Sequence, residues 1–162
     1  MSFARFLRTL VLFAALIALH FGVRPLFDAR ANVDFLVIAL LLASVRVRPG
    51  GAALVGFCLG LLMDSLKPGT FGAAALGMTL VGYGASWLKP VFFADNLPLN
   101  AFFFFMGKWV FDLVYLGVGR RLQGTELVMQ LLLWSPLAAA LTAIAGVILL
   151  LVARPLTEAR AS

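Results

Sequence analysis

Residues 127–153 read LVMQLLLWSPLAAALTAIAGVILLLVA and contain no charged side chain. This is the longest uncharged run of the chain, and residues 68–88 form a second run that is nearly as long. A bilayer core about 30 Å thick is crossed by roughly 20 apolar residues of helix, and both runs reach that length. The sequence therefore predicts an integral membrane protein.

The composition points to the same class of protein. Hydrophobic residues make up 63% of the chain and charged residues 12%, and the mean hydropathy is +1.05. Six spans of about 20 residues would use most of the 162 residues, so a single transmembrane domain over 1–162 is expected. The net charge of +6 comes from loop Lys and Arg that build no continuous basic face, which argues against nucleic-acid binding. Cys58 is the only cysteine, so neither an intrachain disulfide nor a cysteine zinc site is expected.

The expected fold is all-α, a bundle of six transmembrane helices joined by short loops. The predicted spans are 6–23, 33–47, 52–66, 71–88, 97–119 and 128–153. The second span is short and could instead be re-entrant. Pro136 lies inside the last span and should kink it. A cleaved signal peptide is an alternative for the first span, with Ala29-Arg30-Ala31 as its small-x-small cleavage site. The polar segment between the apolar stretch and this triplet is unusually long for a signal peptide, which argues against cleavage.

The distribution of basic residues predicts the orientation. Six spans place both termini on one side, and cytoplasmic loops carry an excess of Lys and Arg. With the N-terminus inside, the cytoplasmic set is Arg5, Arg8, Arg46, Arg48, Lys89, Arg154 and Arg160. The opposite set is Arg24, Arg30, Lys67, Arg120 and Arg121. Because two arginines open the first span, both termini are predicted to be cytoplasmic.

Ionisable residues within spans are functional candidates, because a charge at the membrane centre costs roughly 3 kcal/mol or more. Lys108 and Asp112 are the clearest case. Their i, i+4 spacing places them on one helix face, where they can neutralise each other as an inward-facing structural pair. The alternative is that they belong to a proton or substrate path. His20, near the end of the first span, is interpreted as an interfacial or buried hydrogen-bonding residue rather than a proton relay.

A small-residue pattern surrounds another intramembrane carboxylate. Gly56 and Gly60 form a GxxxG pair, and Asp64 follows on the same helix face. Gly72 and Gly77 extend the pattern into the fourth span, and Asp64 is expected to accept hydrogen bonds near the loop between the two spans. These glycines could pack inside the bundle or receive a partner helix, and Gly60→Leu should disrupt either arrangement.

Residues 56–76, GFCLGLLMDSLKPGTFGAAAL, resemble the central signature of MreD, the rod shape-determining membrane protein of bacteria. In that family a Gly-rich third span leads to Leu-Leu-x-Asp, a short loop with Gly or Pro, and a helix rich in small residues. Chain length, six spans and a basic N-terminus also resemble the family. Lys67 and the pair Lys108 and Asp112 are features that this resemblance does not assign.

The resemblance implies a non-enzymatic subunit of the cell-elongation machinery in the bacterial cytoplasmic membrane. The implied partners are MreC, the peptidoglycan polymerase with its penicillin-binding transpeptidase, and possibly MreB filaments on the cytoplasmic side. The implied fold is similar to the six-helix substrate-binding subunits of energy-coupling-factor vitamin transporters, although function does not follow from that likeness.

The expected mechanism is scaffolding, in which small-residue faces that include Gly56, Gly60, Gly72 and Gly77 admit a partner helix. The competing class is a small-solute-binding subunit of a transporter, suggested by the membrane-embedded Asp64, Lys108 and Asp112. An enzyme is not expected, because the sequence offers no nucleophile with a base, no metal-ligand set and no phosphate-binding loop. No cofactor or metal is expected.

Overall fold

A computed structural model describes residues 3–23, 33–66, 68–92, 96–119 and 124–158. Over these ranges the chain forms six helices and no strand, which confirms the predicted all-α fold. The helices are α1 (Phe3–Val23), α2 (Phe35–Ser44), α3 (Pro49–Ser65), α4 (Ala73–Phe92), α5 (Leu97–Gly119) and α6, which runs from Thr125–Met129 through a π-helical stretch, Gln130–Trp134, into Ser135–Glu158. A single 3₁₀ turn, Pro68–Thr70, lies between α3 and α4.

Two helices are long and apolar enough to cross a membrane among the described residues, Leu97–Gly119 and Thr125–Val152. The helices Phe35–Ser44 and Pro49–Ser65 are apolar but shorter. The number of membrane crossings therefore stays a prediction. The triplet 29–31, the loop residue Lys67 and the pair Arg120 and Arg121 lie outside the described residues.

The second helix is the centre of the bundle. α2 has 10 residues and is about 15 Å long, half the thickness of a bilayer core. The aliphatic residues 36–41 have no exposed surface, so this helix is covered by protein on all sides. A helix that is apolar around its whole circumference is typical of such a buried position.

The closest helix pair is α3 with α4. Ala52, Gly56 and Gly60 recur every fourth residue along α3 and meet the α4 backbone. A Cβ at Gly56 would overlap the Met78 carbonyl, and one at Gly60 would overlap the backbone of Ala74 and Ala75. The two antiparallel backbones approach closely because Gly56 and Gly60 of α3, and Gly82 of α4 opposite Ala52, lack side chains.

The fifth helix packs between α4 and α6 through large aromatic side chains. Phe111 lies against Gly77 of α4, and Phe104 lies against Gly146 of α6. Both phenylalanines are buried. Glycine on the neighbouring helix thus makes room for an aromatic ring, a different use from the backbone contact between α3 and α4.

The last helix changes its winding just before Pro136. The Ser135 N–H bonds the Gln130 carbonyl, an i to i−5 bond that ends the π-helical stretch. Pro136 has no N–H to bond the carbonyl four residues earlier, and its ring crowds that turn. The wider π turn relieves this crowding, so a π bulge precedes Pro136, and the predicted kink stays a prediction.

Candidate functional site

Asp64, in the last turn of α3, holds the beginning of α4. Its Oδ2 accepts hydrogen bonds from the N–H of Gly72 at 2.9 Å and of Ala75 at 2.9 Å, and its Oδ1 accepts one from Ala74 at 3.2 Å. The side chain is buried. The first amides of a helix have no partner within it and carry a partial positive charge, so a carboxylate there is stabilised. Asp64 therefore caps α4 from the preceding helix.

The loop geometry makes this cap possible. Gly72 adopts a φ of +95°, a conformation that L side chains rarely adopt, and it turns the chain so that its own N–H points to Asp64. Thr70, in the 3₁₀ turn before it, is also buried, and its hydroxyl lies 3.4 Å from the Tyr115 hydroxyl of α5. The spacing between Asp64 and Gly72 thus allows a hydrogen bond that holds α3, the loop and α4 together.

The four predicted glycines occupy different surroundings. Gly56 and Gly60 face α4 of the same chain, and Gly77 faces Phe111. Gly72 has open space where a Cβ would be, and its role is the turn. At Gly56 and Gly60 the chain's own α4 occupies the position that a partner helix would need.

A second polar cluster lies in the middle of the bundle around Lys108. Its ammonium donates to Asp112 Oδ1 at 2.6 Å and to Asp34 Oδ2 at 3.2 Å. All three side chains are buried. Lys108 also lies 5.0 Å from the centre of the Phe111 ring. The sequence predicts only the pair with Asp112, whereas the structure shows one lysine shared by two carboxylates.

Asp34 connects this lysine to two further helices. Its carboxylate lies 3.4 Å from His20 Nδ1 of α1, and its N–H donates to Thr142 Oγ1 of α6 at 3.2 Å. Asp34 is also the N-cap of α2, accepting a bond from the Val37 N–H at 3.4 Å. The cluster of His20, Asp34, Lys108, Asp112 and Thr142, called the ionic cluster below, therefore joins α1, α2, α5 and α6.

The formal charge of the ionic cluster is −1 when His20 is neutral, because two carboxylates share one ammonium. Charges taken out of water are tolerated only when each is paired and hydrogen-bonded. The contacts of Lys108 meet this requirement for both acids at once. The ionic cluster therefore links the helices through buried ion pairs and hydrogen bonds.

Asp34 is the charged member of the ionic cluster that the sequence does not reveal. It lies 74 residues from Lys108 along the chain and directly beside the polar residues that separate the first two predicted spans. Its one local signal is its position immediately before an apolar helix, where Asp is a preferred N-cap. That signal predicts a cap but not a partner on α5.

Potential metal-ligating side chains do not cluster in the described part of the chain. No group of three or more His, Cys, Asp or Glu side chains there could hold a metal ion. Cys58 is exposed on α3. The buried carboxylates Asp64 and Asp34 bond the first amides of α4 and α2, and Lys108 bonds Asp34 and Asp112.

The helical bundle, its apolar composition and its buried polar ties define a small all-helical membrane protein. Within this class, a profile described as rod shape-determining protein MreD matches residues 2–157. The chain belongs to the MreD family. Searches of curated proteins and of solved structures found no match, so the expected similarity to energy-coupling-factor subunits is unsupported.

Proposed function

We propose that this protein is a non-enzymatic scaffold of the bacterial cell-elongation machinery, binding MreC and linking it to the peptidoglycan polymerase and its penicillin-binding transpeptidase. MreB on the cytoplasmic side is a further proposed partner. The proposed location is the cytoplasmic membrane, crossed six times with both termini inside. Membership of the MreD family supports this proposal.

The direction in which the polar groups face is the observation that carries the proposal. Asp64 bonds the amides of α4, and Lys108 bonds Asp34 and Asp112 inside the bundle. These charges fix the relative positions of helices, as a rigid scaffold requires. The outer faces are then left to apolar and small residues, which are the contacts that membrane helices use with one another.

The first helix offers the small-residue face that a partner helix could use. Leu16 and His20 are buried against the bundle, whereas Ala14, Ala18 and Gly22 are exposed at four-residue spacing. A Cβ at Gly22 would meet nothing within 4 Å. We propose that the MreC membrane helix packs along this row, in place of the internal glycines Gly56 and Gly60.

Affinity capture of the tagged full chain from native membranes tests the proposal. Wild-type protein should recover MreC and the synthase in near-stoichiometric amounts, and Gly22→Leu should recover much less MreC. Gly117→Leu is the matched control, because Gly117 is also an exposed helical glycine with nothing within 4 Å of its Cβ position. Undiminished MreC with Gly22→Leu would refute the α1 interface. Absence of MreC from the wild-type capture would refute the scaffold.

The second candidate, a small-solute-binding subunit of a transporter, is favoured by the charged groups of the ionic cluster at the bundle centre. Such groups often mark substrate paths in membrane proteins. This candidate predicts saturable binding of a solute that Asp112→Ala abolishes. It also predicts that the capture recovers an ATPase pair with a coupling subunit and no MreC.

A further inference from the structure

An apolar groove runs between α4 and α5, with Leu41 of α2 at its base. Its cavity volume is about 200 Å³. The α4 wall includes Leu80, Gly84 and Leu88, and the α5 wall includes Phe102, Met106 and Val110. Along α4 the groove is about 12 Å long, from the rise of about 1.5 Å per residue. Leu88 and Phe102 at one end and Leu80 at the other are exposed, so the groove opens to the surroundings of the bundle along its length.

The end of the groove at Leu88 lies beside a cluster of positive charge. Lys89 follows Leu88 directly, and its ammonium donates to the Val47 carbonyl at 3.1 Å. Ser86 donates to the same carbonyl at 2.8 Å. Arg46 and Arg48 flank Val47 in the turn between α2 and α3, and both are exposed. Three cationic residues therefore lie at or next to the Val47 carbonyl, beside the Leu88 end of the groove.

A single ligand chemistry satisfies both parts of this surface. An apolar cavity of about 150 Å³ can hold a molecule the size of benzene, so this groove has room for part of a hydrocarbon chain. Arginine and lysine favour phosphate groups, and basic pockets between membrane helices bind anionic lipid headgroups. We propose that the groove binds one acyl chain of an anionic phospholipid, whose phosphate lies on Arg46, Arg48 and Lys89.

Gly84 keeps the groove open. A Cβ at this position would meet nothing within 4 Å, although the residue lines the cavity. A larger side chain built on that Cβ would extend into the space of the acyl chain. The position therefore allows the groove to be filled from α4.

Native mass spectrometry of the purified full chain with added phosphatidylglycerol or phosphatidylcholine of equal chain length tests the proposal. Wild-type protein should retain phosphatidylglycerol preferentially. Arg46→Gln with Arg48→Gln should weaken its retention by about tenfold or more, since each basic residue near an anionic lipid contributes a factor of several. Gly84→Phe should weaken retention of both lipids.

Two matched controls separate this site from general effects. Arg120→Gln with Arg121→Gln removes the same charge from a loop that is predicted on the opposite side of the membrane. Gly117→Phe adds the same ring at an exposed helical glycine away from the groove. Both controls should retain phosphatidylglycerol as the wild type does. Equal retention of the two lipids by wild type, or equal losses in the controls, would overturn the proposal.

A wild-type measurement covers the case in which Gly84→Phe fails to fold. Phosphatidylglycerol with a photoreactive diazirine in its acyl chain should label groove residues such as Gly84, Phe102 and Met106 more strongly than the exposed α6 residues Leu132 and Ile144. Even labelling of all exposed faces would show ordinary lipid contact and would refute the site.

Discussion

Three backbone amides converge on the carboxylate of Asp64, and its two oxygens share them. Hydrogen bonds to a charged acceptor are shorter and stronger than neutral ones. At the scale of a residue, therefore, the negative charge matters as much as the shape of the side chain. The same reasoning applies to Lys108, whose one positive charge serves two acids.

Asp64→Asn should lower the free energy of unfolding by about 2 kcal/mol, because the amide keeps one acceptor oxygen and loses the charge that strengthens all three bonds. Thermal denaturation of the purified protein in detergent measures the change. Ser65→Ala is the control, since the exposed Ser65 hydroxyl bonds only the Leu62 carbonyl of its own helix. A melting temperature equal to that of Ser65→Ala would contradict the role of the charge.

Lys108→Met should destabilise the protein by about 3–5 kcal/mol, because it leaves two buried carboxylates without their shared cation. Adding Asp112→Asn returns the formal charge of the ionic cluster from −2 to its original −1. The double variant should therefore recover at least about 1 kcal/mol relative to Lys108→Met alone.

Denaturant titration of the wild type, Lys108→Met, Asp112→Asn and the double variant gives the four free energies of unfolding of a double-mutant cycle. If the losses of the two single variants simply add in the double variant, Lys108 and Asp112 are not coupled. If Lys108→Met is as stable as the wild type, the two carboxylates do not need the lysine for their stability in the bundle.

At the scale of helices, the glycines divide according to what lies opposite them. Gly60 meets the backbone of α4, Gly77 meets a phenylalanine ring, and Gly84 meets open space. The tolerance of each position to a side chain follows from that difference, although all three are helical glycines with the same intrinsic propensity.

Gly60→Ala should destabilise the protein by about 3 kcal/mol, because the added methyl overlaps the backbone of Ala74 and Ala75 and forces α3 and α4 apart. Gly60→Leu should fail to give monodisperse protein. Gly84→Ala should be neutral or stabilising by up to about 1 kcal/mol, because alanine favours helix and nothing lies in its way. Size-exclusion profiles and melting temperatures compare the three variants. Equal behaviour of the two alanine variants would contradict the backbone contact.

The sequence was sufficient for those features that depend on neighbouring residues. Helix type and approximate bounds follow from apolar length, and the pair Lys108 and Asp112 follows from its i, i+4 spacing. Features that need the tertiary fold were not accessible. Lys108, the cation that pairs with Asp34, lies 74 residues away along the chain. Whether Gly60 faces another helix of the same chain depends on which helix packs against α3. The extension of α4 past Leu88 to Phe92, through Pro90, also differs from the predicted end of that span.

At the scale of the whole molecule, the ionic cluster ties four helices together at the centre, and the α3 and α4 contact forms a second rigid unit beside it. The orientation of this bundle decides which partners reach which loops. Both the scaffold proposal and the lipid proposal rest on the predicted topology, which places Arg46, Arg48 and Lys89 on the cytoplasmic side.

Single cysteines introduced in a Cys58→Ser background test this topology. Cysteines at Ser2 and at Ser162 should react with a membrane-impermeant maleimide only after the cytoplasmic membrane is opened. A cysteine at Thr125, an exposed residue at the start of α6, should react in cells whose cytoplasmic membrane is intact. Labelling of Ser2 and Thr125 positions from the same side would refute the predicted six crossings.

The internal start of α2 has a consequence for biosynthesis. The backbone N–H of Asp34 bonds Thr142, which is synthesised 108 residues later, so this contact cannot form until that part of α6 has been made. Lys108 of α5 is available earlier, but until α6 is made the acidic residue at the start of this ten-residue apolar helix lacks one of its final neighbours. Completion of α6 is therefore the event that closes the bundle, and chains truncated before α6 should be substrates for membrane proteases.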